Sequence, residues 1–347
     1  MRVARLSSVT RLSIAALFVC AASAPLLPCA FAAQLPHIGD INFYGLRKMT
    51  AEQILAAARL APGDTVPASR IELEDRIIEL PDVMDAHVQS VCCEGDRTTL
   101  FIGIHERGEA DVAFRARPSG ASTLPEDLMT RYRQYSGALL RAGINGKADA
   151  ADPAMHRDQE YFRGFAAGNV AKLRAELHSG EDAEQRAAAA LVVGYSASKR
   201  AAVDDLLFAV QDPDEAVRTN AIRALADIAA IARHQPALGI RIPPSELVDL
   251  LNSVVLSDRM ESTKALLVLT ERQNAATLDQ IRERALASLA EMARWQTSAY
   301  ALPPFELLGR VAGVPDAKVK ESWAKGDREP VIQQAIDSAP KKPAQQQ

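Results

Sequence analysis

The chain has 347 residues, a formal net charge of −4, and a composition that is 48% hydrophobic but only 5% aromatic. So mildly acidic a chain lacks the clustered Lys and Arg that phosphate neutralisation requires, which argues against nucleic-acid binding. The length suits two domains, and many Ala and Leu with few aromatics favour closely packed helices.

Residues 1–33 have the three parts of an export signal. Arg2, Arg5 and Arg11 form a basic start, Leu12 to Leu27 an apolar stretch broken by Pro25, and Ala30-Phe31-Ala32 a small-residue cleavage site. Cleavage after Ala32 is expected, leaving a periplasmic or otherwise exported chain. The stretch is shorter than the roughly 20 apolar residues of a membrane-spanning helix, and nothing later is long and apolar enough, so no stable span is expected after cleavage. A retained anchor or a lipid on Cys20 or Cys29 are the alternatives, although Val19 and Pro28 are poor residues to precede an acylated cysteine. Removing three arginines and no acid takes the formal charge from −4 to −7. Cys92-Cys93 then remain. Neighbours on a strand point to opposite faces, so a bond between them would be strained. They read as two small hydrophobes near a strand end, with an intermolecular bond or a vicinal ring as the alternative.

Residues 36–107 read as one α/β module. Ile41 and Phe43 alternate with polar residues and Gly45 closes a short strand. Thr50 and Gln53 have capping-box spacing, starting a helix that runs to Leu60 and stops at Pro62-Gly63-Asp64. A second helix opens near Pro67, carries Ile71, Ile77 and Ile78, and ends at Leu80-Pro81. Ala86, Val88 and Ser90 share one strand face; Leu100, Ile102 and Ile104 share another, with Glu94 to Arg97 as the hairpin turn. The predicted order is β-α-α-β-β.

With the strand ending in Gly45, the Thr50 helix start, Leu80-Pro81-Asp82-Val83 and Ile104-His105-Glu106, this module resembles the polypeptide-transport-associated (POTRA) domain. The resemblance implies a periplasmic partner-binding module, but helical segments follow it here where a β-barrel often would. It also implies a central Leu100 strand and an outer strand from Asp85 to Val91. Asp85, His87, Gln89 and Val91 are therefore the candidate partner-binding edge. Such an edge either offers unpaired backbone groups to an incoming strand or is blunted by charge, and both readings stay open.

Residues 108–157 read as a connector with a helix near Glu126 to Leu140. Gly146-Lys147 lacks the glycine spacing and following hydroxyl of a phosphate loop. Residues 158–336 read as helical repeats and 337–347 as a disordered tail. Placing Arg186 on Arg218, an offset of 32, brings Ala189, Ala190 and Val193 onto Ala221, Ile222 and Leu225. An offset of 44 carries Val203, Leu206, Leu207 and Val210 onto Leu247, Leu250, Leu251 and Val254, and Asp214 onto Asp258. The stretch from Arg233 to Pro244 absorbs the difference as a long loop. Further helices are expected over 257–271, 277–295 and 304–312. Each has one wide apolar face that only stacking can bury.

Asp212-Pro213-Asp214-Glu215-Ala216-Val217-Arg218 followed by Ala221, Ala224 and Leu225 resembles a HEAT-like repeat of the phycobilisome-lyase type, over roughly residues 182–295. The resemblance implies an acid-rich turn that starts a helix and an arginine bonded to neighbouring turns. Asp212, Asp214, Arg186 and Arg218 are thus expected to be structural repeat residues. The acids do not have the spacing of a calcium loop.

His37, His87, His105, His156, His178 and His234 lack metal-ligand spacing, and neither a nucleophile elbow nor a Walker loop is present. The expected fold is therefore an α+β POTRA-like module followed by an all-α HEAT-like solenoid. The expected function is a non-enzymatic adaptor or scaffold that binds other envelope proteins and needs no cofactor or metal, each half binding a partner of its own. A repeat-containing lyase-like or accessory factor acting on a protein-bound ligand is the alternative.

Overall fold

A computed structural model describes residues 36–94, 97–144, 152–272 and 274–339. The expected export signal, the tip of the 94–97 hairpin, the loop containing Gly146-Lys147 and most of the expected tail lie outside the described residues, as do the side chains of Cys92 and Cys93.

The β-α-α-β-β order is present. Strand β1 (His37–Tyr44) is followed by α1 (Ala51–Ala58), α2 (Arg70–Ile78), β2 (Val83–Glu94) and β3 (Arg97–Glu106). The sheet order is β1-β3-β2, with β1 parallel and β2 antiparallel to β3. The capping box forms: Thr50 Oγ1 accepts from Gln53 N at 3.4 Å and Gln53 Oε1 from Thr50 N at 2.8 Å. Helix α2 opens later than Pro67 because Ser69 caps it. Ile38, Val88, Leu100, Ile102 and Ile104 pack with Ile54, Leu73 and Ile77 as the module's own core. On the other face Tyr44 and Phe101 are equally buried, but in the core of the helices that follow. Both faces of β3 are thus covered, which is why it reads as the apolar run Leu100-Phe101-Ile102.

The helical half begins earlier than expected. Helix α3 (Glu126–Ile144) buries Leu128, Met129, Tyr132 and Tyr135 in the repeat core and so belongs to the solenoid. Helix α4 (Pro153–Ser179) starts on the Asp152 cap and is interrupted at Asn169. There follow α5 (Ala183–Val193), α6 (Lys199–Ala209), α7 (Glu215–His234), α8 (Ser245–Leu250), α9 (Leu256–Thr270), α10 (Ala275–Arg284), α11 (Leu286–Ala293), α12 (Ser298–Val311), α13 (Asp316–Lys325) and α14 (Glu329–Asp337). Helices α5, α7, α9 and α12 lie side by side, with α6, α8 and α10 backing them. The helix expected over 277–295 is split at Ala285, whose φ of −136° is not helical. The one expected from Pro304 opens at Ser298 and carries Pro303 and Pro304 inside. Burial of Ala301, Phe305 and Leu308 there outweighs two missing N–H donors.

Between sheet and solenoid the chain forms a strap. Arg115 N donates to Gln211 O at 2.9 Å, Gly120 N to Ser179 O at 2.7 Å, and Glu181 N to Gly120 O at 3.0 Å. Phe114 lies 4.0 Å beneath the Arg218 guanidinium and Arg115 covers Phe208. The strap therefore runs back across the turns that follow α6 and α4.

Candidate interaction surfaces

Repeats present a surface only if something else fixes their stacking, and here a ladder of buried arginines does so. Arg186 gives Nε and Nη2 to the two oxygens of Asp212 at 2.9 and 3.0 Å, and Nη1 to the carbonyls of Gly180 and Glu181. One repeat on, Arg218 grips Asp258 at 2.9 and 2.8 Å and the carbonyls of Asp212 and Pro213. Asp214 caps α7 by accepting from Ala216 N and Val217 N. Arg186, Arg218, Asp212 and Asp214 are thus placed as structural repeat residues. The mapping of Asp214 onto Asp258 needs correction. Asp258 plays the part of Asp212, accepting the arginine of the preceding repeat.

The third rung differs. Arg259 again holds preceding carbonyls, of Ser253 at 2.5 Å and Asn252 at 3.4 Å, but its carboxylate, Glu291, stands 3.4 Å from Nη1. Glu291 is turned instead to Gly45 of the α/β module, whose N–H it accepts at 2.9 Å on both oxygens.

That contact is one of several joining sheet to solenoid. Trp295 Nε1 donates to Phe43 O at 2.9 Å, Tyr44 OH to Val254 O at 2.9 Å, Asn42 Nδ2 to Thr297 Oγ1 at 3.0 Å and Gln296 N to Asn42 Oδ1 at 3.0 Å. Phe101 packs on Trp295 and Tyr300 at ring separations of 5.0 and 4.8 Å, and Tyr44 on Trp295 at 5.7 Å. Gly103 permits the approach: a Cβ there would lie 2.3 Å from Val254 O and 2.4 Å from the Tyr44 ring. A groove of about 450 Å³ opens beside it, lined by Ile41, Phe43, Leu46, Arg47, Glu291 and Arg294. The two halves are therefore one body, where the sequence reading treats them as separate. None of Asn42, Tyr44, Gly103, Glu291 or Trp295 is a candidate in that reading. The uninterrupted apolar run of β3 was the one available signal that a second face needed cover.

The junction also decides what the β2 edge presents. Asp85 is exposed. The His87 side chain turns to the solenoid, with Nε2 3.8 Å from Glu215 Oε2; Gln89 is half-buried, and Val91 packs against the repeat core. Val88 N donates to Glu74 Oε1 at 2.8 Å, so Val88 sends its backbone away from β3. By antiparallel alternation Ala86 and Ser90 do the same, while His87, Gln89 and Val91 turn their backbone to β3. The outward groups are thus one residue out of phase with the expected set. Two of them are already occupied, Val88 N by Glu74 and Ala86 N by Asp85 Oδ1 at 2.8 Å. Ile71, Ile78 and Met84 are exposed apolar residues on α2 and at the start of β2.

Two buried carboxylates flank these surfaces, and their pKa values are shifted in opposite directions. Glu106 accepts from the backbone N–H groups of Arg47, Lys48 and Met49 at 2.7 to 2.9 Å. Burial pushes its pKa up, but those donors and the Lys48 charge outweigh this and hold it below its ordinary value. Glu176, fully buried, has no hydrogen-bond partner for either oxygen among the described residues, and Ser122 of the strap lies beside it without closing one. Burial pushes its pKa up.

Among the described residues no group of three or more His, Cys, Asp and Glu side chains could hold a metal ion, and no helix is long and apolar enough to cross a membrane. The architecture is a small three-stranded sheet followed by a helical repeat solenoid. Within it, residues 170–240 match the family model described as HEAT repeats. A designed armadillo repeat protein is similar at 15% identity over 61% of this chain and 100% of that one, with a TM-score of 0.32. An engineered protein solved by a structural genomics consortium is similar at 17% identity over 62% and 99%, with a TM-score of 0.35. Likeness this loose says nothing about function. No curated protein matches the sequence.

Proposed function

We propose that the chain is a non-enzymatic, exported adaptor that binds other proteins in a bacterial cell envelope. The observation that carries this reading is the ladder. Arg186 and Arg218, each about 98–99% buried, fix repeat stacking from within, so outward residues such as Lys172, Asp204 and Glu283 are free to serve recognition. The export pattern of residues 1–32 and the POTRA-like order of the first module support a periplasmic setting. The outward backbone of Ala86, Val88 and Ser90 is a second docking place, open to a strand that displaces the Asp85 and Glu74 carboxylates.

Photo-crosslinking residues placed at Lys172, Asp204, Asp279 and Ser90 of the full chain, in intact cells, test this. Crosslinks to envelope proteins are expected from the helical positions, with the chain's mature N-terminus near Ala33. A full-length Met1 start in the envelope fraction would overturn cleavage after Ala32 in favour of a retained anchor. Normal accumulation without a crosslink from any position would overturn the adaptor reading.

A further inference from the structure

The sheet–solenoid junction lacks the completeness of a permanent core. Arg259 is 1% exposed yet shares its carboxylate with Gly45. His87 Nδ1 and Gln89 Oε1 are buried on the junction face of β2 with no partner among the described residues. Buried polar groups in that condition disfavour the docked state, and separation would give Arg259 its acid and the other two water. The module meanwhile owns a separate core around Ile54, Leu73, Ile77, Val88 and Ile102.

What the solenoid recognises is the edge of a strand. Trp295 engages the carbonyl of Phe43 and Glu291 the N–H of Gly45, two residues on and on the same side of β1. These are groups that an adjoining strand would engage. Between them Tyr44 places its ring against Trp295 and beneath the Arg259 guanidinium, 4.6 Å away.

We propose that the sheet is a detachable occupant of α9–α12. Its release uncovers a receptor, made by Glu291, Trp295, Arg259 and Tyr300, for an extended polypeptide segment carrying an aromatic side chain between the engaged carbonyl and amide. Partner binding and sheet release are then coupled, because both need the same groups. The groove beside Glu291 is the side from which an incoming segment reaches it. This deepens the adaptor reading and rests on it.

The test uses the full mature chain carrying Trp323→Phe, which leaves Trp295 as the one tryptophan. Gly103→Val drives a side chain into Val254 and Tyr44. Asn42→Ala removes the Thr297 and Gln296 contacts without intrusion. In both, acrylamide quenching of Trp295 is expected to rise several-fold while the amides of α1, α2, α5 and α7 keep their protection from hydrogen exchange. A synthetic peptide of residues 38–47 should restore shielding in Gly103→Val. It should bind that variant about ten-fold tighter than the parent, whose site is occupied. A Trp295 that stays shielded in both variants, exposure in both only with loss of protection throughout, or a peptide that fails to bind Gly103→Val would each overturn the proposal. The outward crosslinks of the adaptor test are independent of these outcomes, so the two readings fail separately.

Discussion

The early repeats and the sheet junction both bury arginine, and they treat it differently. Arg186 and Arg218 each meet one carboxylate with two parallel hydrogen bonds and two carbonyls behind it, so most of the guanidinium is satisfied, although Asp212 and Asp258 also accept from Asp214 N and Ser253 Oγ. Arg259 meets carbonyls and a carboxylate that faces elsewhere. A buried ion pair is stabilising only when its geometry is complete, and incomplete pairing leaves a desolvation penalty uncompensated. The same residue type at equivalent positions therefore makes a fixed joint in one region and an exchangeable one in the other.

Removing the acid from each region in turn separates the two kinds of joint. Asp258→Ala leaves Arg218 buried with no carboxylate and should destabilise the chain by about 3–5 kcal/mol, read as a fall in urea midpoint. Adding Arg218→Met should recover much of the loss, because the stranded charge is then gone. Glu291→Ala should cost less, about 1–3 kcal/mol, since Arg259 keeps the Ser253 and Asn252 carbonyls. Hydrogen exchange should confine the damage to β1 and the segment after α11. An equal or larger global effect from Glu291→Ala would dissolve the distinction.

On the sheet side, Glu106 is the carboxylate that holds residues 47–49 beside the junction. Glu106→Gln should cost about 1–2 kcal/mol at neutral pH, because a neutral amide oxygen replaces a charged acceptor of three N–H groups. With its folded pKa held below the ordinary 4.5, the contribution of Glu106 is present above that value and is lost as pH falls through the folded one. Parent and variant urea midpoints should therefore converge in acid. A gap that persists there would assign the loss to packing alone.

How far the sequence revealed this arrangement depends on how local each feature is. Local pattern and turn residues sufficed for β-α-α-β-β, and the POTRA resemblance supplied Leu100 on the central strand. The offset of 32 was legible because Arg186 and Arg218 each bond the carbonyls five and six residues before them. The offset of 44 holds for Leu206 and Leu250, both buried, but fails three residues later in effect, because the turn into α9 is shorter. Ser253, six residues before Arg259 as Asp212 is before Arg218, takes Asp212's place and accepts the N–H two residues on, as Asp212 does. Its hydroxyl is too short to reach Arg218, so Asp258 reaches from the first turn of α9 and is held by Ser253 Oγ at 2.8 Å. The junction was legible only as the apolar run of β3, which asks for cover without saying from where. Phe43 and Trp295 are 252 residues apart, and no local pattern pairs them.

The smallest expected effect lies where the strap crosses the start of the ladder, and its sign is opposite to that of Glu106. Glu176 sits against the backbone of Gly180 with both oxygens unpartnered among the described residues. Burial, the largest influence, and Asp182 oppose its ionised form, while the nearby Ser122 hydroxyl, Arg186 and Lys172 favour it. Below the ordinary value of 4.5 both folded and unfolded chains hold the proton and the group adds nothing to the pH dependence. As pH rises past it, the unfolded chain ionises first while the folded chain keeps its proton, so stability falls until the raised folded pKa is reached and then levels off. Glu176→Gln keeps the shape and removes the titration. Its urea midpoint should match the parent's in acid and exceed it once pH passes the ordinary carboxylate value, with Arg186 and the Gly120–Ser179 bond still protected from exchange. A variant less stable than the parent above that value would mean that the carboxylate is held in its ionised, paired form, and the strap would then be closed by a charged clasp.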